Sequence, residues 1–501
     1  MKFRNQIGAF LFLIIAQSAI FKFSSSQSLL FSPSPIEDNG FDNVKIIGQD
    51  DEGFYLLQSN LPLELERDRI GFKNRKYKIA YYSYEMILRW IKPAEAWTEN
   101  ANVETVAFFH QKIIIIAGKE NKPENTLSLF AQWMNNKGDI ISNTQIAKIQ
   151  FEENSDYAKA KIIISANQQL AGIIVHEYFN DTRQAVHAIA SDTSLKFKFN
   201  KKLIINYGAK NFTATGYSLS NNFDFNLIGV RTAKVKNAER KRQEDFILFS
   251  SPMGSNKFSE YLISEGNKDI TGASINFDNI NQKIVCAGFY ADRLSSTGAG
   301  IIYATVGMND TSQLIIKTKP IDSNTQIKLL GERNSGYDIG LVSYPIQNII
   351  LRNDGGAVII AEASYTTDYA YYDYFTQSYT RRIEYHFNNI VAISVNANGS
   401  IHWLDVIRKS QESEDDGAVF SSFGFMLSPE EIILIYNSDI SRYSEVVAQR
   451  ISNTGVQKED KPVPPGDRVL LLATSGKQVS ENEIIIPCIS RKKLMLVKFV
   501  F

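Results

Sequence analysis

Val395-Asn396-Ala397-Asn398-Gly399-Ser400-Ile401-His402-Trp403 sets an Asn-Gly pair between two alternating apolar runs. This is the chemistry of a tight β-hairpin, because Gly takes the positive φ that such a turn requires. Working outward, similar turns recur near Ser83, Lys137, Asp192, Gly254, Asn309 and Thr454, so that with Asn398 the successive separations are 54, 55, 62, 55, 89 and 56 residues. A repeating unit of about 50 residues with four strands is the period of a propeller blade. The recurrence predicts an all-β chain, a β-propeller of four-stranded blades.

The clearest unit lays out the strand order. Gln347–Leu351 reads as a first strand, Asp354-Gly355-Gly356 as a turn and Ala357–Ala363 as a second strand. Asn389–Asn396 and Ser400–Ile407 follow as third and fourth strands, with Trp403 placed to pack between blades. After the seventh turn, residues 468–473, 483–489 and 493–501 supply three strands and the fourth is missing. Ser28–Ser34, with Leu29-Leu30-Phe31, is the expected donor, since an open sheet edge invites aggregation. Eight blades are favoured, the last closed by this N-terminal strand. Seven blades remain an alternative because residues 150–265 are weakly patterned. A row of β-sandwich domains would also give short strands at regular spacing, but not one hairpin repeated along the whole chain.

With 501 residues the chain exceeds the roughly 250–300 at which one core stops growing, which calls for several domains or a repeat array. Hydrophobic residues at 44% and aromatics at 12% supply the packing material. The 54 basic residues balance the 54 acidic ones, so no overall field draws in nucleic acid. At the N-terminus, Lys2 and Arg4 precede the apolar stretch Gly8–Ala16, and Ser24-Ser25-Ser26 offers small residues for cleavage. Residues 1–26 therefore read as a signal peptide and residues 27–501 as one propeller domain. The expectation is an exported protein of the periplasm, cell envelope or extracellular space, with no transmembrane segment in the mature chain. Cys286 and Cys488 fall on second strands three blades apart, too far for a disulfide. Two buried free thiols are expected.

The 89-residue gap holds two additions. Residues 325–336 are polar and read as helical. Residues 364–382 carry Tyr365, Tyr369, Tyr371, Tyr372, Tyr374 and Tyr379. These six are the candidate ligand-binding residues, because Tyr combines a rigid face for stacking with a hydroxyl for orientation. The alternative is an extended hairpin whose tyrosines cover a neighbouring blade.

Ile349–Glu362, the Tyr-rich insert, Asn388–Ile393 with Asn398–Trp403, and Gly417–Asn437 together resemble an uncharacterised family of exported proteins of Gram-negative bacteria. The resemblance spans residues 320–440. It implies an envelope location and carries no activity onto any residue.

Chemistry-bearing motifs are few. There is no G-x-S-x-G elbow, G-x-G-x-x-G, Walker loop or H-E-x-x-H, and the histidines at 110, 176, 187, 386 and 402 lack metal-ligand spacing. No metal, no cofactor and no catalytic residue is assigned. His176-Glu177 is an adjacent pair that a strand would point to opposite faces. Glu412, Glu414, Asp415 and Asp416 read as a solvated loop between blades, and Arg231–Asp245 as a basic hairpin tip. The expected function is a non-catalytic binding or scaffold module for a protein or glycan partner. The alternative is a carbohydrate-active or other hydrolase with carboxylates converging at the channel.

Overall fold

The computed structural model describes residues 28–501 apart from 38, 62, 64–74, 154, 159, 180–181, 194–196, 235–241, 267, 293–298, 309–313, 323, 326–328, 330–343, 374–376, 441–444 and 464–467. Residues 1–26, Tyr374 and most of the helix expected over 325–336 lie outside the described residues.

Eight antiparallel sheets, each built on four strands, follow one another along the chain. The first is Asn43–Gln49, Gly53–Ser59, Tyr77–Ser83 and Leu88–Ala94, paired in chain order. Six more repeat this order; in the third, the first strand is split into Asp156–Tyr157 and Lys161–Ile164. All seven recurrent turns join third to fourth strands, as the flanking pairs Tyr82–Leu88, Met134–Ile140, Ser191–Phe197, Ser250–Ser259, Val306–Leu314, Val395–Ile401 and Ile451–Gln457 demonstrate. The eighth sheet lacks such a turn because its outer strand comes from elsewhere. Ser28–Phe31 pairs with Lys493–Val500, in the register Ser28 to Val500 and Phe31 to Val497.

The eight sheets form a ring. Among the described residues eight buried apolar clusters occur, and each lies between consecutive sheets. The cluster of Val44, Ile46, Phe54 and Leu56 with Leu472, Ile485, Leu494 and Leu496 joins the first sheet to the eighth and closes the circle. First strands of neighbouring sheets touch one another at every junction but that of the sixth and seventh, which puts them around the axis. The protein is an eight-bladed β-propeller. Second and third strands are covered on both faces and read as continuous apolar runs, such as Ile113–Ile116, all at most 1% exposed.

The outer rim is tied from blade to blade. Trp90 on the first blade donates its indole N–H to Asn136 O in the turn of the second, at 2.8 Å. Trp403 on the sixth blade repeats this to Asn453 O on the seventh, at 3.0 Å. There a Cβ on Gly455, whose φ is +85°, would lie 2.8 Å from the Trp403 ring. The turn glycine thus serves both a left-handed backbone and a close approach. Cys286 and Cys488 are buried free thiols, and burial pushes both up to about 12.

Leu29 and Phe31 of the N-terminal strand are partly buried against the cluster between the seventh and eighth blades. Each such side chain is worth about 1.5–3 kcal/mol when fully covered. Deleting Ser28–Phe31 is expected to cost about 2–3 kcal/mol and to expose Lys493–Val500 as a sheet edge. Urea unfolding and light scattering check this; an unchanged midpoint would deny the strand a stabilising part.

Candidate functional site

The tyrosine-rich insert is a continuation of two blade strands. In the sixth blade the second strand runs Ala357–Asp373 and the third Ser378–Val395, paired past the blade's end to Asp373–Ser378. A register shift between Glu362 and Ser364 marks where the blade stops and the extension begins. Of the acidic run expected as a solvated loop, Glu412 and Glu414 stand on a strand instead, with both side chains exposed, while Asp415 and Asp416 follow it as a bend. Gln411–Glu414, in the connection from the sixth to the seventh blade, pairs with the third strand as Glu384–Glu414 and Phe387–Gln411. The result is a wing with three strands at its base and two from Asp368–Ile383 outward, placed by alternation of strand direction on the ring end that carries the blade-to-blade connections.

Directly paired strand residues share a face, so the register sorts the side chains. Tyr365, Thr367, Tyr369 and Tyr371 lie on one face with Arg382, Glu384, His386, Glu412 and Glu414. Tyr372 and Tyr379 lie on the other with Asp368, Arg381 and Tyr385. Tyr365, Tyr369, Tyr371, Tyr372 and Tyr379 are 38–76% exposed, so both faces meet solvent and these five do not cover a neighbouring blade.

On the first face, Tyr365 stacks on the His386 ring with centroids 4.5 Å apart. Thr367 Oγ1 is 3.0 Å from His386 Nε2 and 3.2 Å from Glu384 Oε2. Donor atoms of Glu384, His386 and Glu412 all lie within 4.8 Å of one another. Arg382 is held 2.9 Å from both Glu414 and Asp415 and donates to the Tyr371 hydroxyl at 3.2 Å. These contacts, Tyr371 first, raise its already high pKa. On the second face, Tyr372 meets Tyr379 edge to face at 5.3 Å, and Arg381 pairs with Asp368.

The wing's root is a buried polar network. Lys409 Nζ lies 2.8 Å from Glu362 Oε1 with both side chains fully buried. The ammonium also donates to Gln411 Oε1 at 2.5 Å and Phe387 O at 2.9 Å, while the Ser422 hydroxyl donates to Glu362 Oε2 at 2.5 Å. Gln411 Nε2 continues to Asn437 O at 2.6 Å, and Asn437 Nδ2 to Leu471 O at 2.9 Å. The sixth, seventh and eighth blades are thereby joined to the wing. Burial pushes Glu362 up and Lys409 down, against their mutual attraction.

Two other sequence candidates resolve differently. Glu177 pairs with His187, at 2.7 Å, and with Lys202, at 3.3 Å, rather than with its neighbour His176. Burial opposes its charge, but these partners and the Glu152 N–H hold the carboxyl below its ordinary value. His176 is buried against the Tyr217 hydroxyl at 3.3 Å. Burial depresses its pKa to about 4. Of the basic run, Arg231 pairs with Asp245 at 2.6 Å, and residues 235–241 lie outside the described residues.

A cavity of about 480 Å³ opens beside the inner strands of the first, seventh and eighth blades, lined by Gln49, Phe425, Lys477, Gln478 and Ser480 among others. Its lining offers one ammonium and neutral amides, so it is not a place where two carboxylates converge. Sequence reading missed the Glu384–His386–Glu412 group and the Glu362–Lys409 pair. The first had a signal, Glu-x-His at alternate strand positions. The second had none, its partners standing 47 residues apart.

No protein-family model matches the chain and no curated protein matches it. Among solved structures, the WD40 domain of SCAP from fission yeast is similar at 9% identity, covering 95% of this chain and 98% of that one, with a TM-score of 0.38. The β-propeller domain of the Trilobed protease from Pyrococcus furiosus is similar at 10% identity over 85% and 97%, with a TM-score of 0.35. An α-L-arabinofuranosidase from Fusarium graminearum is similar at 9% over 76% and 97%, with a TM-score of 0.31. The propeller assignment stands on the chain's own eight sheets and their cyclic packing. Among the described residues no helix is long and apolar enough to cross a membrane.

Removing one partner of a buried ion pair leaves the other uncompensated, so Lys409→Met is expected to cost about 3–5 kcal/mol. The double variant Glu362→Gln/Lys409→Met should recover most of this. Urea midpoints of the wild type, both single variants and the double variant test the coupling; additive losses would deny it.

His176 gives a pH dependence. The folded chain keeps the ring neutral down to about pH 4, whereas its ordinary pKa is 6.5. Protons therefore bind preferentially to the unfolded chain between those values, and stability is full above pH 6.5 and falls as pH drops to 4. The loss reaches at most about 3 kcal/mol for this group. His176→Phe should flatten the curve of stability against pH across that window; an unaltered slope would assign the dependence elsewhere.

Proposed function

We propose that the chain is an exported, non-catalytic propeller of the cell envelope that binds or scaffolds a protein or glycan partner through its tyrosine wing. The observation that carries this reading is the exposure of Tyr365, Tyr369, Tyr371, Tyr372 and Tyr379 on both faces of a wing that lies outside all eight blade-to-blade clusters. Covering a tyrosine face on binding gains hydrophobic free energy, while its hydroxyl keeps a polar partner. Few rotatable bonds limit the ordering cost. Arg382 and the carboxylates beside three of the tyrosines add directional polar contacts, a combination that suits sugar hydroxyls or a peptide carrying both charges. The buried Glu362–Lys409 pair at the root holds the wing in one orientation, which reduces what binding must spend on order. Export and envelope location are supported by the charged, apolar and small-residue order of residues 1–26.

Replacing residues 364–382 with an Asn-Gly turn tests the wing's role. The variant is expected to keep its far-UV spectrum and a melting temperature within a few degrees of the wild type, and to lose photo-crosslinked envelope partners and glycan-array signals. Unchanged capture by the wingless protein would overturn the reading. Cell fractionation of the full chain tests export separately; retention in the cytoplasm would overturn that part.

A further inference from the structure

We propose that Glu384, His386 and Glu412 form a site for one divalent first-row transition-metal ion, zinc foremost, on the first face of the wing. The site arises from strand register. Glu384 and His386 stand two residues apart on one strand and so share a face, and Glu412 is directly paired with His386 on the neighbouring strand. Glu384 Oε2 is 3.6 Å from His386 Nε2, and the three donor atoms lie within 4.8 Å of one another. Ligands about 2.0–2.2 Å from a tetrahedral zinc stand roughly 3.3–3.6 Å apart, so small rotations of the two glutamates complete the set.

The surroundings favour a metal over a casual acidic patch. Tyr365 stacks on the imidazole at an interplanar angle of 15° and limits its rotation. The Thr367 hydroxyl already lies within hydrogen-bond distance of both His386 Nε2 and Glu384 Oε2, where it can orient a carboxylate or a metal-bound water. Arg382, the nearest cation on this face, is engaged by Glu414, Asp415 and Tyr371 rather than by the three donors. One imidazole with two carboxylates suits zinc or its neighbours better than calcium or magnesium, which seek all-oxygen sets. Two carboxylates neutralise the ion's charge, and three protein ligands leave a position open to water or to a partner's own donor. The ion would also cross-link the third strand of the wing to the strand beside it.

The test is isothermal titration of EDTA-treated protein, residues 27–501, with zinc chloride alone, and with manganese and calcium chlorides for comparison. One zinc per chain is expected, with calcium bound far more weakly. His386→Asn and Glu412→Gln should each weaken zinc binding by at least about tenfold while keeping the wild-type melting curve in EDTA. In hydrogen exchange, zinc should slow the amides of residues 384–387 and 411–414, an effect absent from both variants. Zinc binding no tighter than about 100 µM, or equal binding by both variants, would overturn the site. Because metal binding is read without any partner, its failure would leave the wing's recognition role untouched, and the reverse also holds.

Discussion

Every sheet of this protein buries both faces against its two neighbours, and the closed circle of eight such contacts is what the rest of the structure depends on. A twisted four-stranded sheet alone exposes too much apolar surface to persist in water. Stacked radially, it needs a neighbour on each side, so the array is stable only when its two ends meet. The first and eighth blades meet through Phe54, Leu56, Ile485 and Leu496, among others, with no more than a few per cent of each exposed. The same demand explains why second and third strands carry unbroken apolar runs while outer strands alternate, as Leu314–Pro320 does.

Rigidity of the ring makes the wing possible. Its strands are extensions of strands already held in the sixth blade, so their direction is set before they leave the core. At the point of departure the chain buries a carboxylate and an ammonium together, an arrangement that adds little net stability but penalises any other placement of the root. The connection to the next blade then supplies a third strand and with it Glu412 and Glu414. A two-stranded ribbon of this length would be marginal in water. The third strand widens the base opposite residues 364–367, and with the fixed root it anchors the two-stranded tip on which Tyr369, Tyr371, Tyr372 and Tyr379 are displayed.

Much of the fold was legible because its determinants are local. Asn398-Gly399 marks a turn whose geometry is set within four residues, and the seven recurrent positions all proved to lie between the third and fourth strands of successive blades. The missing fourth strand of the last blade, and Leu29-Leu30-Phe31 as the segment that pairs there, followed from counting strands. Cys286 and Cys488 could be kept apart by blade register alone. The strand at 411–414 was missed because its pairing partner, residues 384–387, is separated from it in sequence by the blade's own fourth strand, and composition there speaks only of solvation.

The amino-acid sequence by itself determined the repeat, the strand order within a blade, the blade to which each turn belongs and the position of the tyrosine insert, because periodicity and turn chemistry act over a few residues. Only the tertiary structure decided that the insert projects as a wing instead of covering a blade, that Glu362 meets Lys409, that Glu177 meets His187, and that Glu412 arrives beside His386. Each of these depends on which strands become neighbours in space. A one-residue slip in that pairing would send a strand residue such as Glu362, Glu177 or Glu412 to the opposite face.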